Sequence, residues 1–352
     1  MTRIAIDAMG GDNAPRAVVE GAVWAAYEYN IPIELVGKMY EIDRELDRIQ
    51  QDGLIVPIDG INPPKKIKVD ISKLDIIKTN ATEVIEMDEA PGQAIRKKKD
   101  SSIVVAVNSV VSGSSDALVA AGSTGAAMGS SLFGMGRLKG IERPAIATVL
   151  PTMKKPFVLI DSGANTDSTA NMLYQFGLMG STYAKNVLGI ENPRIALLNI
   201  GEEAGKGDEL AKDTYKLFEE NPNNLNFIGN VEGKEIFLGN ADVIVCDGFV
   251  GNVTLKTIEG VAKMFFFMVK EAFKQNLLTG IMGKLVKPIL KSLYKKINYE
   301  EFGGALLLGV KGNTVICHGR SSAYAIKNAV KVAYNVVESG VNNAIAAHFG
   351  EK

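Results

Sequence analysis

The sequence predicts an α/β protein with an open, largely parallel sheet and helices on both faces. Three observations predict it. Short β-branched runs repeatedly end in Gly mixed with Asp, Asn, Ser or Thr. Each run is followed by an amphipathic stretch of helical period. A chain of 352 residues, 46% hydrophobic and 22% charged, also supplies a core large enough for such a fold, so a single catalytic domain over 1–352 is expected.

In chain order, RIAIDAMGGDNAP reads as a strand and a Gly-rich turn opening a helix from about Pro15, a residue suited to a first helical turn. DALVAAGSTGA repeats the unit, as do FVLIDSGANTD, RIALLNIGEEAGKGDE, DVIVCDGFVGNVT and TVICHGRSSA. Ligands of parallel sheets sit beyond the carboxyl ends of the strands, so these loops are expected to converge on one crevice at one sheet edge. Their backbone N–H groups, with helix N-termini behind them, favour an anion, and a phosphate site is the expected reading.

Several classes are excluded. A net charge of -1 argues against a nucleic-acid binder. Cys246 and Cys317, far apart, make no disulfide framework, and with only His318 and His348 no metal site is expected. The chain opens directly on a strand-like run without a leader and holds no apolar span of membrane length, so a cytoplasmic protein is expected. GEEAGKG at 201–207 has three residues between its first two glycines and Gly207 where a P-loop needs Ser or Thr. GSTGAAMG does not fit G-x-G-x-x-G, so neither a nucleotide nor a nicotinamide cofactor is expected.

IAIDAMGGDNAP, DALVAAGSTGA, GRLKGIERPAIA, DSGAN, PRIALLNIGEEAGKG, NFIGNVEG, DVIVCDGFVGNVTLKTIEG, FGGALLLGVKG and HGRSS together resemble the phosphate acyltransferase family of bacterial phospholipid synthesis, the PlsX family. The resemblance runs through essentially the whole chain. It implies transfer of a fatty acyl group from acyl carrier protein to inorganic phosphate, without a cofactor. The acyl phosphate formed would serve a membrane glycerol-3-phosphate acyltransferase. It further implies a homodimer and a fold similar to isocitrate and isopropylmalate dehydrogenases and to phosphotransacetylase. The chain departs from the family pattern at Ser123, usually Asn, and Ser162, usually Val. The stretch Asp52 to Asp70 is longer than the family norm and reads as a surface insertion.

The chemistry needs positioning and charge management, because a thiol leaves without much acid assistance. Lys206 is the candidate counter-charge for phosphate, with the amides of Gly10, Gly11, Gly122 and Gly125, and Ser123 with the Thr124 hydroxyl, as cradle. Asn252 can donate to phosphate or to the oxyanion, and Asn165 likewise, turn capping being the rival reading of both. Asp12 and Glu202 stand among these loops without a sharp role. His318 ends a strand, as a base or as a residue packed under the sheet edge. Cys246, also at a strand end, raises an acyl-enzyme only weakly, since phosphate can attack directly.

Residues 263–296 hold eight lysines against the single acid Glu271. Leu277, Leu278, Ile281, Met282, Leu285, Val286, Ile289, Leu290 and Leu293 recur at three-to-four spacing, on a helix broken or kinked at Pro288. Over 257–300 this predicts basic amphipathic helices, and the family resemblance implies that they project from the dimer. Phe266, Leu278, Met282, Lys284, Lys287 and Lys291 would contact an anionic membrane face or the acidic carrier protein, the alternative being a dimer interface or a core-facing helix with a solvated lysine face. The rival functions are a phosphotransacetylase-like enzyme using acyl-coenzyme A and a non-catalytic membrane or carrier scaffold. A decarboxylating dehydrogenase rests on fold analogy alone.

Overall fold

The alternation of buried residues along each strand shows how the sheet is covered. Ile4 and Ile6 face one core with Val19, Val23, Ile326 and Val330, while Ala5 between them faces another with Ile103, Ala106 and Ala127. Helices therefore cover both faces, as expected. The computed structural model describes residues 1–56, 65–221, 225–297 and 299–350, and the 57–64 part of the surface insertion lies outside the described residues.

The first half contains β1 (Ile4–Asp7), α1 (Arg16–Tyr29), β2 (Ile33–Gly37), α2 (Met39–Asp52), β3 (Leu54–Val56), β4 (Lys65–Ile67), β5 (Ile76–Asn80), α3 (Pro91–Lys97), α4 (Ser102–Ser112), β6 (Ala117–Ala120) and α5 (Thr124–Gly134). Then come β7 (Ala145–Leu150), β8 (Phe157–Ile160), α6 (Ala170–Asn186), β9 (Arg194–Asn199), α7 (Glu209–Glu220), β10 (Asn226–Glu232), β11 (Val243–Val245) and α8 (Gly248–Ala272). The chain continues with α9 (Leu277–Ile297), β12 (Ala305–Leu308), β13 (Asn313–Ile316), α10 (Ala323–Ser339) and α11 (Val341–Gly350). All six strand, loop and helix units read from the sequence are present, and Pro15 immediately precedes α1.

One eleven-stranded sheet has the order β10-β9-β11-β8-β7-β12-β13-β6-β1-β2-β5, and β3 and β4 form a separate hairpin. The expectation of a single carboxyl edge is corrected here. β5, β2, β1, β6 and β13 run one way and β8, β11, β9 and β10 the other, because β7 pairs antiparallel with both β8 and β12, and β12 antiparallel with β13. Register brings the two sets of carboxyl ends together all the same. Val315 pairs Leu306, Leu306 pairs Ala147 and Ala147 pairs Ile160, so the last residue of β8 lies level with the penultimate residue of β13. The crevice forms where the two parallel halves meet head to head.

α8 starts at that junction. Its first turn is capped by Asp247, whose carboxylate accepts from the N–H groups of Phe249 and Val250 at 2.9 Å, and Leu255 and Ile258 pack over the second half of the sheet. Farther along, Met264, Phe265, Phe267 and Met268 are exposed, as are Leu285 and Ile289 of α9. α9 is not broken at Pro288; it runs unbroken from Leu277 to Ile297.

Candidate active site

A cavity of about 290 Å³ opens at the junction of the two halves. Thr124 at the start of α5, Gly163 and Ser162 after β8, Asn252 and Lys256 on α8, and His318 after β13 all line it. Ile146, Val149, Leu255, Phe302, Ile316 and Ala325 give it an apolar wall. The lining thus combines polar groups from the loops after β6, β8 and β13 and from α8 with apolar side chains from the sheet, α8, α10 and the turn before β12.

The loop after β8 is organised by Asp161, which has no exposed surface. Its carboxylate accepts from the N–H groups of Ile146, Gly163, Ala164 and Asn165 and from the Asn165 side chain, at 2.8 to 3.1 Å. Burial raises its pKa, and those donors pull it back toward the ionised form. The Asn165 carbonyl then accepts from Gly248 N–H at 2.7 Å, tying this loop to the first turn of α8. Only glycine fits at position 251, where a Cβ would stand 1.9 Å from the Asp161 carbonyl oxygen. Asn252, the next residue, is held at the cavity by that contact. It is exposed, and its side-chain amide makes no hydrogen bond among the described residues.

Asn165 is a correction. Its side-chain N–H groups reach the Pro144 carbonyl at 2.8 Å and Asp161 at 2.9 Å, so its donors are engaged in shaping the loop and are not offered to a phosphate. The Gly-rich turns after β1 and β6 pack on each other. A Cβ on Gly10 would meet Asp7 Oδ2 at 2.6 Å and the Gly122 nitrogen at 2.9 Å; Gly11, at φ +104, has the Ala121 and Gly319 carbonyls beside it. Gly125 abuts Pro91, with 2.7 Å from an added Cβ to its Cγ. These glycines are required by close backbone approach, and among them and Ser123 and Thr124 only Thr124 lines the cavity. Ser123 precedes α5 without a side-chain capping bond. Asp12 lies outside the cavity, bonded to Arg320 at 3.3 Å.

Lys206 and Glu202 are exposed on the loop after β9, also outside the cavity lining. That loop is held by Asn199, whose side chain donates to the Lys206 carbonyl at 3.1 Å, and Asp208 caps α7 by accepting from Ala211 N–H at 2.8 Å. β9 is the parallel neighbour of β11, so Lys206 stands at the same carboxyl edge as the strand that leads into Asn252.

His318 Nδ1 accepts from Arg320 N–H at 3.0 Å, which puts the proton of the neutral ring on Nε2. Its pKa is lowered from 6.5, first by burial and then by the positive charge of Lys256. The unfolded ring binds a proton more readily than the folded one, so stability from this group is full above about pH 6.5 and declines as pH falls toward the folded value. In an NMR titration the His318 ring signals are expected to move below pH 6.5, and movement above it would contradict this environment. Both thiols stay protonated. Burial pushes Cys317 up to about 12 and Cys246 well above its usual value, the carboxylates of Asp161 and Asp247 adding to the latter. Neither is an acyl-accepting nucleophile at neutral pH.

The sequence reading passed over Lys256 and Asp161, and Ser162 was noted only as a departure. Lys256 lies four residues after Asn252, the spacing of one helix face. Ser162 bonds Thr148 at 2.6 Å, filling the cavity edge with a paired hydroxyl. Of the residues expected on the projecting helices, Leu278, Met282, Lys284 and Lys287 are exposed, and Phe266 and Lys291 are half-buried. No helix among the described residues is long and apolar enough to cross a membrane.

Residues 2–344 match a family model described as fatty acid synthesis protein. Over 350 residues the chain is 49% identical to a phosphate acyltransferase of Heliobacterium modesticaldum, covering 99% of this chain and 98% of the relative. A phosphate acyltransferase of Dictyoglomus thermophilum is 48% identical over 344 residues, 97% of this chain and 96% of the relative. Among solved structures, a phosphotransacetylase from Staphylococcus aureus superposes with a TM-score of 0.58 at 12% identity, covering 96% of this chain and 94% of that one. A 4-hydroxythreonine-4-phosphate dehydrogenase from Klebsiella pneumoniae gives 0.52 at 13% identity, covering 96% and 99%. At those identities the likeness is one of fold.

Proposed function

The chain belongs to the phosphate acyltransferase family and is an acyltransferase; from that premise we propose that it moves a fatty acyl group reversibly from the thioester of acyl carrier protein to inorganic phosphate. The observation that carries this reading is the cavity itself, which sets the uncommitted Asn252 amide and the Thr124 hydroxyl beside an apolar wall at the meeting of two sheet halves. A phosphate oxygen attacks the thioester carbonyl carbon, forming the C–O bond. Collapse of the oxyanion breaks the C–S bond, the electron pair leaves on sulfur, and the proton of monohydrogen phosphate ends on the thiol. The products are an acyl phosphate and the free carrier thiol.

Asn252 donates to the oxyanion as it develops, an interaction stronger in the transition state than in the bound thioester. Thr124 and the unpaired amides opening α5 face the phosphate from the other side. Lys206 supplies further counter-charge from the loop of β9, the strand adjoining β11. His318, neutral with its proton on Nε2, is a donor at the same end. The apolar wall receives the first carbons of the acyl chain.

α8 and α9 carry the supply and delivery of this chemistry. Their exposed apolar residues and the lysine excess over 263–296 suit an anionic lipid face or the acidic carrier protein, with a second copy of the chain completing a homodimer. Peripheral contact with the inner face of the cell membrane would hand acyl phosphate to a membrane glycerol-3-phosphate acyltransferase. The donor is tested by offering one long acyl chain as the carrier-protein thioester and as the coenzyme A thioester, with phosphate. Consumption of the carrier thioester at lower concentration is expected. Equal or better use of acyl-coenzyme A would favour a phosphotransacetylase-like enzyme.

A further inference from the structure

We propose that Lys256, one helical turn after Asn252 on α8, is the residue that binds inorganic phosphate inside the cavity. The assignment rests on the acyl-to-phosphate reading above and extends it to a residue that reading does not use. Among the described residues lining the cavity, Lys256 alone carries a fixed positive charge, whereas Glu259 and Glu300 both line it as acids. A phosphate dianion entering an apolar space beside two carboxylates is repelled unless a cation stands there. Lys206 is exposed on the loop after β9 and does not line the space.

The placement of Lys256 suits that task. Asn252 and Lys256 are four residues apart on α8, so their side chains leave the same face. The Lys256 ammonium is held 3.1 Å from Glu259 of the next turn, which orients it without burying it, since its side chain is 51% exposed. Its four-carbon stem lets the ammonium turn from Glu259 toward an incoming anion. Asn252 and Lys256 also line a second hollow with Val253 and Thr257, so Lys256 borders both this hollow and the cavity. Its charge also reaches His318 across the same space.

Binding of inorganic phosphate to the purified protein, followed by ³¹P NMR and independent of turnover, tests this directly. Lys256→Met is expected to weaken phosphate binding by about tenfold or more, the loss of one charge-assisted contact. The KM for phosphate rises in step, while the KM for the acyl donor stays within about twofold, and Lys256→Arg recovers most of the loss. Lys256→Gln, which keeps a polar but uncharged tip, behaves as the Met variant does. Unchanged phosphate affinity in both neutral variants would overturn the assignment. So would a rise in donor KM in place of phosphate KM, which would put Lys256 on the phosphodiester of the carrier arm. Phosphate binding that depends on Lys256 in a protein showing no acyl transfer would support this site and overturn the functional reading instead.

Discussion

Asn252→Ala leaves the protein folded and lowers kcat by about 10²–10³-fold, the loss associated with removing one preorganised oxyanion donor. The fold is insensitive because the side-chain amide makes no hydrogen bond among the described residues, and it is exposed at the cavity. Activity is sensitive because the backbone around it is rigid. Asp247 caps the helix, Gly248 is bonded to Asn165, and Gly251 lies against the Asp161 carbonyl, so the amide is aimed before substrate arrives. Steady-state kinetics and a thermal melt check both halves. A fall in kcat with Tm unchanged is expected, and KM for either substrate should move little, since the contact strengthens only as charge develops. A variant with wild-type kcat would remove Asn252 from the chemistry.

Asp161→Ala has the larger effect on stability. It removes the acceptor of five hydrogen bonds, leaving the N–H groups of Ile146, Gly163, Ala164 and Asn165 without their partner in a buried setting. The expected cost is about 3–5 kcal/mol, visible as a Tm lower by roughly 10 °C. Activity falls with it, because the Asn165 to Gly248 bond that places α8 depends on this loop. Asp161→Asn keeps an acceptor oxygen but sets an amide against N–H donors, so it recovers only part of the stability. Denaturant melts of the two variants check the order: wild type above Asn, Asn above Ala. Equal stability of wild type and the Ala variant would show that the loop is held by other contacts.

Much of the architecture was legible because strand, loop and helix units are local. The turn DAMGGDNAP and the turn AAGSTGA announce themselves through glycines that the close contact of Gly10 with Gly122 requires. Direction was not legible. Nothing in AIATVL, FVLI or ALLL tells that β7, β8 and β12 pair antiparallel, since a short buried run looks alike in either sense, and these pairings turn a single expected edge into two that meet. The site was half legible for the same reason. Asn252 stood out in a turn-like block, whereas Lys256, set in regular helix four residues on, gave no signal until the cavity showed which face looks inward. Asn165 stayed open between ligand donor and turn residue because an Asn in a turn offers the same donors to both, and only its bonds to Pro144 and Asp161 commit them to the loop. Pro288 left a break and a kink equally open, and the helix running from Leu277 to Ile297 excludes only the break.

The central claim is that phosphate, acting as nucleophile, takes the acyl group from a thioester in this cavity. The measurement that tests it most directly mixes the purified protein with long-chain acyl carrier protein, with and without inorganic phosphate, and traps the product with hydroxylamine. Thiol release that requires phosphate, with one acyl hydroxamate per thiol released, is the predicted result. Thiol release that is equal without phosphate and yields free fatty acid, or no release from either carrier-protein or coenzyme A thioesters, would contradict it.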